Sequence, residues 1–394
     1  MTWTSERLAR AALTAAAEPG VMAKRLVEMT AEELWQHMLT DSGERWHKRA
    51  KSLDVDQLVE RSEKAAMRFL IPGDEEWPTG LDSLARVGKS GMGGAPVGLW
   101  VTGPAHLADI SQRAVAIVGC RSASSYGQDV AVEMAYRLVR GHCDGTGSHT
   151  VISGGAFGID VAAHRGALSA RGNTVSVLAC GLDTLYPRGN SAVLEQIAGT
   201  GALVSELPLG RHPTRPGFLA RNRLIAALTT GTVVVEAGWR SGAINTASWA
   251  NALGNAVMAV PGPVTSSRST GTNKLIRDGE AILVRDADDV RGIVGELAPE
   301  PERPAGRSLP TDILDAIELA VHEALPAHGS CGLDELAVLG WSSRCSVFGC
   351  AKRPRTTRHG GLLPRRHLVG HAGKGAEVTL SRLSRKRLRR GPPR

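Results

Sequence analysis

The feature that most constrains this chain is a change of hydrophobic period between Arg113 and Val290. Short, continuous apolar runs (Ala114–Val118, Thr150–Ser153, Thr174–Leu178, Gly201–Ser205, Thr232–Val235, Ala256–Val260 and Ala281–Val284) alternate with helix-like stretches. Those stretches are Gln128–Arg140, Asp160–Ala170, Ser191–Ala198, Phe218–Leu228, Asn245–Leu253 and Asn273–Asp278. A strand that is apolar at every position has both faces buried, and helical crossovers between such strands make them parallel. The spacing therefore predicts an α/β fold: an extended Rossmann-like, doubly wound parallel sheet over residues 111–295.

The flanks read differently. From Glu6 to about Leu70, apolar residues such as Leu26, Met29, Leu34, Trp35 and Met38 recur at helical spacing, and Ala11–Ala17 reads as ordinary helix. Thr30 followed by Glu33 has the form of a capping box, and Val55–Phe69 continues the helical pattern. Phe69–Trp100 is broken by Gly and Pro (Pro72, Gly73, Pro78 and the Gly88–Gly94 cluster), so irregular or short extended structure is expected there. Residues 1–110 are accordingly assigned to a small helical, SAM-like region with its linker. Residues 296–310 form a Pro/Glu/Arg linker. Thr311–Leu325 and Leu333–Leu339 then read as two short helices, the beginning of a winged-helix module over residues 311–340. Residues 341–394 are a basic tail.

Charge is uneven along the chain. The formal net charge is +8, but Trp341–Arg394 holds fifteen Lys and Arg against one acid, Glu377, a net of +14. The preceding 340 residues carry 32 basic and 38 acidic residues, a net of −6, so nucleic-acid binding by the body must rest on placed residues and not on overall pI. No apolar run is long enough to span a membrane, and the first ten residues lack the apolar stretch of a signal peptide. The six cysteines (Cys120, Cys143, Cys180, Cys331, Cys345 and Cys350) show no CxxC pairing, which points to reduced thiols, no metal site and a cytoplasmic location.

In a doubly wound sheet, ligands collect at the carboxyl ends of the strands. The loops there are Gly- and Ser-rich: Gly119–Gly127, and Ser153-Gly154-Gly155-Ala156-Phe157-Gly158-Ile159-Asp160. Glycines let backbone amides approach an anion, yet neither loop matches GxGxxG or GxxxxGK[ST], and tight strand-to-helix turns explain them equally well. Arg215-Pro216-Gly217-Phe218-Leu219-Ala220-Arg221-Asn222-Arg223 puts three arginines beside an aromatic at a helix mouth. That suits a phosphate track with a base-stacking ring, or else a helix start whose arginines pair with nearby carboxylates. Glu236–Gly242, containing Arg240, Ser241 and Gly242, occupies another strand end, and Lys274 begins a further helix. No GxSxG elbow occurs. His164, four residues after Asp160, reads as a local pair, and Glu236 is the one carboxylate to watch.

Taken together, VAIVGCRSASSYG (Val115–Gly127), VISGGAFGIDVAAHRGAL (Val151–Leu168), VLACGLDTLYPRGN (Val177–Asn190), LVSELPLG (Leu203–Gly210), GFLARNRLIAAL (Gly217–Leu228), VVVEAGWRSGAINTA (Val233–Ala247) and AVPGPV followed by GTNKLIRDGEAILV (within Ala259–Val284) resemble the DNA-processing protein A (DprA/Smf) family in order and spacing. The resemblance implies a non-enzymatic, cofactor-free, homodimeric mediator that binds single-stranded DNA and loads the RecA recombinase in natural transformation or general recombination. It implies DNA contacts at Arg121, Arg215, Arg221, Asn222 and Arg223, with Phe218 stacking on a base; some of the Arg221–Arg223 string is expected to hold loop and helix together instead. The strand-end loops add Ser153, Gly154, Gly155, Arg240, Ser241, Gly242 and Lys274 as expected DNA contacts. The competing reading is a Rossmann enzyme hydrolysing nucleoside monophosphates through Glu236, although the PGGxGTxxE string of that class is absent.

Departures from the family pattern are Cys120 in place of serine, Phe157 where Lys or Arg is common, Leu219 in place of proline, and the end of the chain. An Ala/Arg/Gly-rich body indicates a GC-rich gene, and such a gene read out of frame yields Arg/Pro/Gly-rich sequence. The favoured reading of residues 341–394 is therefore a frameshifted or degenerate remnant of the winged helix; the alternative is an evolved basic arm. Either composition buries too little apolar surface to offset its ordering entropy. Limited proteolysis should remove this tail first and leave a stable core ending between Val290 and Gly340. A protease-resistant, cooperatively melting fragment that retains Trp341–Arg394 would overturn that expectation.

Overall fold

The continuous apolar runs do become parallel strands, and the reason is visible at the central one. In the computed structural model, which describes residues 2–87, 94–141 and 147–295, Ala114–Val118 is buried at all five positions. Its Ala114, Ala116 and Val118 side chains enter one apolar core and Val115 and Ile117 the other. A two-residue period with both faces apolar leaves no solvent side, so helices must cover each face.

Five helices come first: α1 (Ser5–Ala16), α2 (Arg25–Glu28), α3 (Ala31–Thr40), α4 (His47–Lys51) and α5 (Val55–Lys64). The strands β1 (Arg68–Leu70) and β2 (Leu99–Thr102) flank a 3₁₀ stretch, Thr79–Arg86, and α6 (Leu107–Gln112) follows. The alternating region comprises β3 (Ala114–Val118), α7 (Ser125–Arg140), β4 (Thr150–Ser153), α8 (Ile159–Ser169), β5 (Thr174–Leu178), α9 (Ser191–Thr200) and β6 (Ala202–Ser205). It continues through α10 (Arg215–Ala227), β7 (Gly231–Val234), α11 (Gly242–Leu253), β8 (Ala256–Ala259), α12 (Thr270–Arg277), β9 (Ile282–Leu283) and α13 (Ala287–Val294). The sheet order is β1-β2-β6-β5-β4-β3-β7-β8-β9. From β3 to β9 all pairings are parallel, whereas β1 and β2 add antiparallel strands at the β6 edge. The order reverses at β3, so the crevice between the β3 and β7 ends is the topological switch point.

Two differences from the sequence reading have physical causes. The helix expected over Val55–Phe69 stops at Lys64; Ala66 adopts φ of 50°, and Arg68–Leu70 leaves to pair with β2. Conversely α7, α10 and α11 each begin three residues earlier than apolar periodicity suggested. Their starts are set by polar caps: Ser124, Thr214 and Ser241 accept backbone N–H groups of Gly127, Gly217 and Ala243. The capping box at α3 is present in both directions, Glu33 N–H to Thr30 Oγ1 at 3.2 Å and Thr30 N–H to Glu33 Oε2 at 2.9 Å. The linker, the winged-helix segment and the basic tail, residues 296–394, lie outside the described residues.

The N-terminal helices are joined to the sheet by shared packing. On α1, Ala9, Ala12, Leu13 and Ala16 enter a helical core with Leu34, Met38 and Trp46. Ala11 and Ala15 of the same helix pack instead with Phe69, Trp100, Leu178 and Leu203 at the sheet. One ionic contact reinforces the junction. Arg223 of α10, with no exposed side-chain surface, donates from Nη2 to Glu206 Oε2 at 2.7 Å and Oε1 at 2.9 Å. Its Nε donates to the Gly94 carbonyl at 3.0 Å, and Glu206 Oε1 accepts the Gly20 N–H at 3.1 Å. Removing one partner of such a pair strands a buried charge. Glu206→Ala should therefore lose about 3–5 kcal/mol of unfolding free energy in urea denaturation; a loss below about 1 kcal/mol, the range of exposed pairs, would show that the pair is not a structural tie.

Candidate nucleic-acid interface

The loops at the carboxyl ends of β3, β5, β7 and β8 and the start of α10 enclose an open groove of about 1100 Å³. Five arginines line it (Arg121, Arg215, Arg221, Arg240 and Arg268), together with the aromatic residues Tyr186, Phe218 and Trp239. Asp160 is the sole carboxylate among the described lining residues, and it is buried.

The second glycine loop explains where that carboxylate went. Asp160 accepts the backbone N–H groups of Ala156, Gly119 and Gly154. Burial pushes its pKa up, against the opposing pull of Arg221 and those amides. The amide cradle that could have held a phosphate is thus filled from within the chain. Gly154 is required by close approach, since a Cβ there would lie 1.5 Å from Arg221 Nη1. Gly158 is required by conformation, with φ of 79°, and a Cβ there would also lie 2.3 Å from the Cys120 carbonyl oxygen. Gly154 and Gly155 are buried turn residues, and Ser153 is fully buried with its Oγ donating to the Ile117 carbonyl at 2.6 Å. The direct DNA contacts expected of these three are corrected accordingly: they shape the loop, and no polar side-chain group of theirs faces the groove.

The Arg221-Asn222-Arg223 string splits by helical geometry, because successive residues are rotated by about 100°. Arg223 faces the interior and pairs with Glu206, which is the carboxylate-pairing alternative realised. Arg221 lines the groove while 7% exposed; Nη1 donates to the Val177 carbonyl at 2.8 Å, and Nε has no partner among the described residues. Burial pulls its pKa down, with Asp160 acting in the opposite direction. Asn222 Nδ2 reaches the Gly242 carbonyl at 3.2 Å and Asn245 Oδ1 at 3.3 Å, which ties α10 to the start of α11.

The exposed arginines behave otherwise. Arg121, Arg215 and Arg240 are exposed, and none has an ion-pair partner among the described residues. The Arg121 guanidinium sits 4.7 Å from the centroid of the half-buried Phe218 ring, and Tyr186 lies 5.9 Å from that ring at 49°. Ser241 caps α11 beside the exposed Gly242. Lys274 is a different case: its Nζ is held by Asp278 at 2.8 Å and Glu280 at 3.4 Å, and it does not line the groove. Sequence reasoning passed over Tyr186, Trp239 and Arg268. The last donates from Nε to the Ser122 carbonyl at 2.6 Å, a link across 146 residues that no local pattern signals.

Glu236, the carboxylate watched for catalysis, and His164, expected to pair with Asp160, are both held inside the fold. Glu236 is buried and accepts the Ser124 N–H at 2.9 Å and the Ser124 hydroxyl at 2.5 Å. His164 is buried against Thr174 Oγ1 at 2.8 Å, not paired with Asp160, and desolvation brings its pKa down to about 3. No helix among the described residues is long and apolar enough to cross a membrane.

Comparison with known proteins agrees with this architecture. A putative DNA processing protein DprA of Mycobacterium tuberculosis is 48% identical over 280 residues, 69% of each chain. The DNA processing protein DprA of Streptococcus pneumoniae is 37% identical over 196 residues, 50% of this chain and 66% of that one. The X-ray structure of the Streptococcus pneumoniae protein superposes with a TM-score of 0.61 at 28% identity, covering 75% of this chain and 100% of that chain. The relatives are named as DNA-processing proteins. The family described as DNA recombination-mediator protein A matches residues 68–294, and the chain belongs to that family.

Proposed function

We propose that this chain binds single-stranded DNA along the arginine-lined groove and, as a cytoplasmic homodimer, delivers the strand to the RecA recombinase in transformation or general recombination. The observation that carries the reading is the joint presence of five arginines and three aromatic rings in one groove with a single, internally satisfied carboxylate. Guanidinium groups neutralise phosphates and release counterions. Aromatic faces accept unstacked bases, whose faces a duplex keeps covered, so this mixture favours single strands. Arg121, Arg215 and Arg240 track the backbone, Arg221 adds a fixed charge at the groove floor, and Phe218 stacks. A hydrolase would need a free carboxylate at Glu236, and both oxygens there are occupied by Ser124.

Oligothymidylate binding measured beside nucleotide hydrolysis separates these chemistries. Strand exchange by RecA on DNA coated with single-strand-binding protein tests the mediator role. Arg121→Ala and Arg215→Ala should each weaken binding and lower the slope of log K against log salt by about 0.7; a double variant with unchanged affinity and slope removes the track. Phe218→Ala should cost about 1–3 kcal/mol of binding if the ring stacks on a base. A Phe218→Ala protein that melts earlier yet binds DNA as before would instead make the ring a packing residue.

A further inference from the structure

Most exposed aromatic residues can be dismissed singly, because scattered surface hydrophobes are normal. Here the exposed aromatic residues among those described, Tyr126, Phe157, Tyr186 and Trp239, all stand on loops or helix starts at the carboxyl end of the sheet. Tyr126 has its hydroxyl tied to the Pro261 carbonyl at 3.0 Å, and Phe157 packs beside Gly189. Trp239 is the most exposed of them, at 62%. It lines the groove on the β7–β8 side with Arg240 and Arg268, whereas Phe218 belongs to α10 and neighbours the β5 loop through Tyr186. Its ring also has a fixed neighbour. Lys274 Nζ lies 5.8 Å from the ring centroid, and that ammonium is itself clamped by Asp278 and Glu280.

From this arrangement we infer that Trp239 is a second base-stacking platform, separate from Phe218, and that Lys274 is the positioning residue that holds its ring. The inference rests on the single-strand reading above and deepens it by naming a further contact. A cation near one face of an indole is attracted to its quadrupole. With Lys274 on one side and the residue still 62% exposed, the ring keeps free surface for a planar ligand. The flanking Arg240 and Arg268 select one whose backbone is anionic, which is a nucleobase on a phosphate chain. The Lys274 ammonium, its Nζ already held by Asp278 and Glu280, acts through the ring and not through a phosphate.

The test compares the full chain with Trp239→Ala, Trp239→Phe, Lys274→Met and Arg240→Ala on oligothymidylate and on an abasic oligonucleotide of equal length. Trp239→Ala should weaken oligothymidylate binding about 5- to 150-fold, the range for loss of one base–aromatic stack, with an unchanged salt slope and an unchanged melting temperature. Trp239→Phe should recover most of that loss. On the abasic strand Trp239→Ala should bind like the parent chain, while Arg240→Ala should still lose affinity and slope. Lys274→Met should weaken oligothymidylate binding without altering the slope, and should add nothing in a Trp239→Ala background. Parent-like oligothymidylate binding by Trp239→Ala, or an equal loss on the abasic strand, overturns the platform. A Lys274→Met effect that persists without the ring overturns the positioning role. Failure of the parent chain to bind either oligonucleotide removes the single-strand reading itself, an outcome distinct from the other two.

Discussion

The buried ion pair between Arg223 and Glu206 is the contact on which the arrangement of this molecule turns. It joins α10 to the segment after β6, and through Gly20 and Gly94 it reaches the N-terminal helices. Charges this deeply buried contribute little net stability but tolerate no loss of a partner, so they act as specifiers of one arrangement. Because α10 also carries Arg215, Phe218 and Arg221, the pair that ties the N-terminal region down fixes the helix that supplies much of the groove. Structure and recognition share one element.

A second consequence follows from the filled cradle at Asp160. Many anion sites of doubly wound folds use backbone amides at a helix start, but here Gly119, Gly154 and Ala156 direct theirs at a carboxylate of the same chain. Recognition then falls to side chains on several loops. Guanidinium groups on separate loops can follow a flexible, extended polyanion, whereas a nest of amides encloses one compact phosphate. This favours the proposed single-strand reading over a mononucleotide site.

The parallel sheet was legible because β3 is apolar throughout and β4 and β5 interrupt their apolar residues only with small hydroxyls, a pattern that admits few architectures. Helix starts were less legible, because α7, α10 and α11 begin with serine, glycine, proline or arginine, and their polar caps are invisible to apolar periodicity. Within the site, Arg121, Arg215 and Phe218, expected from the family resemblance, and Arg240, expected from its strand-end loop, all line the groove. Arg223 and Lys274 were assigned to DNA because a guanidinium and an ammonium look alike in sequence whether free or paired. In three dimensions Arg223 is paired with Glu206, and Lys274 with Asp278 and Glu280. Arg268 escaped notice because its tie to Ser122 links the β8 and β3 loops, a distance no window spans.

The helix α1 carries a mechanical implication. Ala11, Ala12 and Ala16 have no exposed surface, and the helix contributes to two apolar cores at once, one among the N-terminal helices and one against the sheet. A helix shared by two close-packed cores removes the plane along which they could slide or open, since interiors at crystal-like density deform only by breaking contacts. Methyl-sized side chains set the separation, and any larger residue at these positions would act as a wedge. The groove therefore rides on a body in which the N-terminal helices and the sheet share one helix, with no sliding plane at α1.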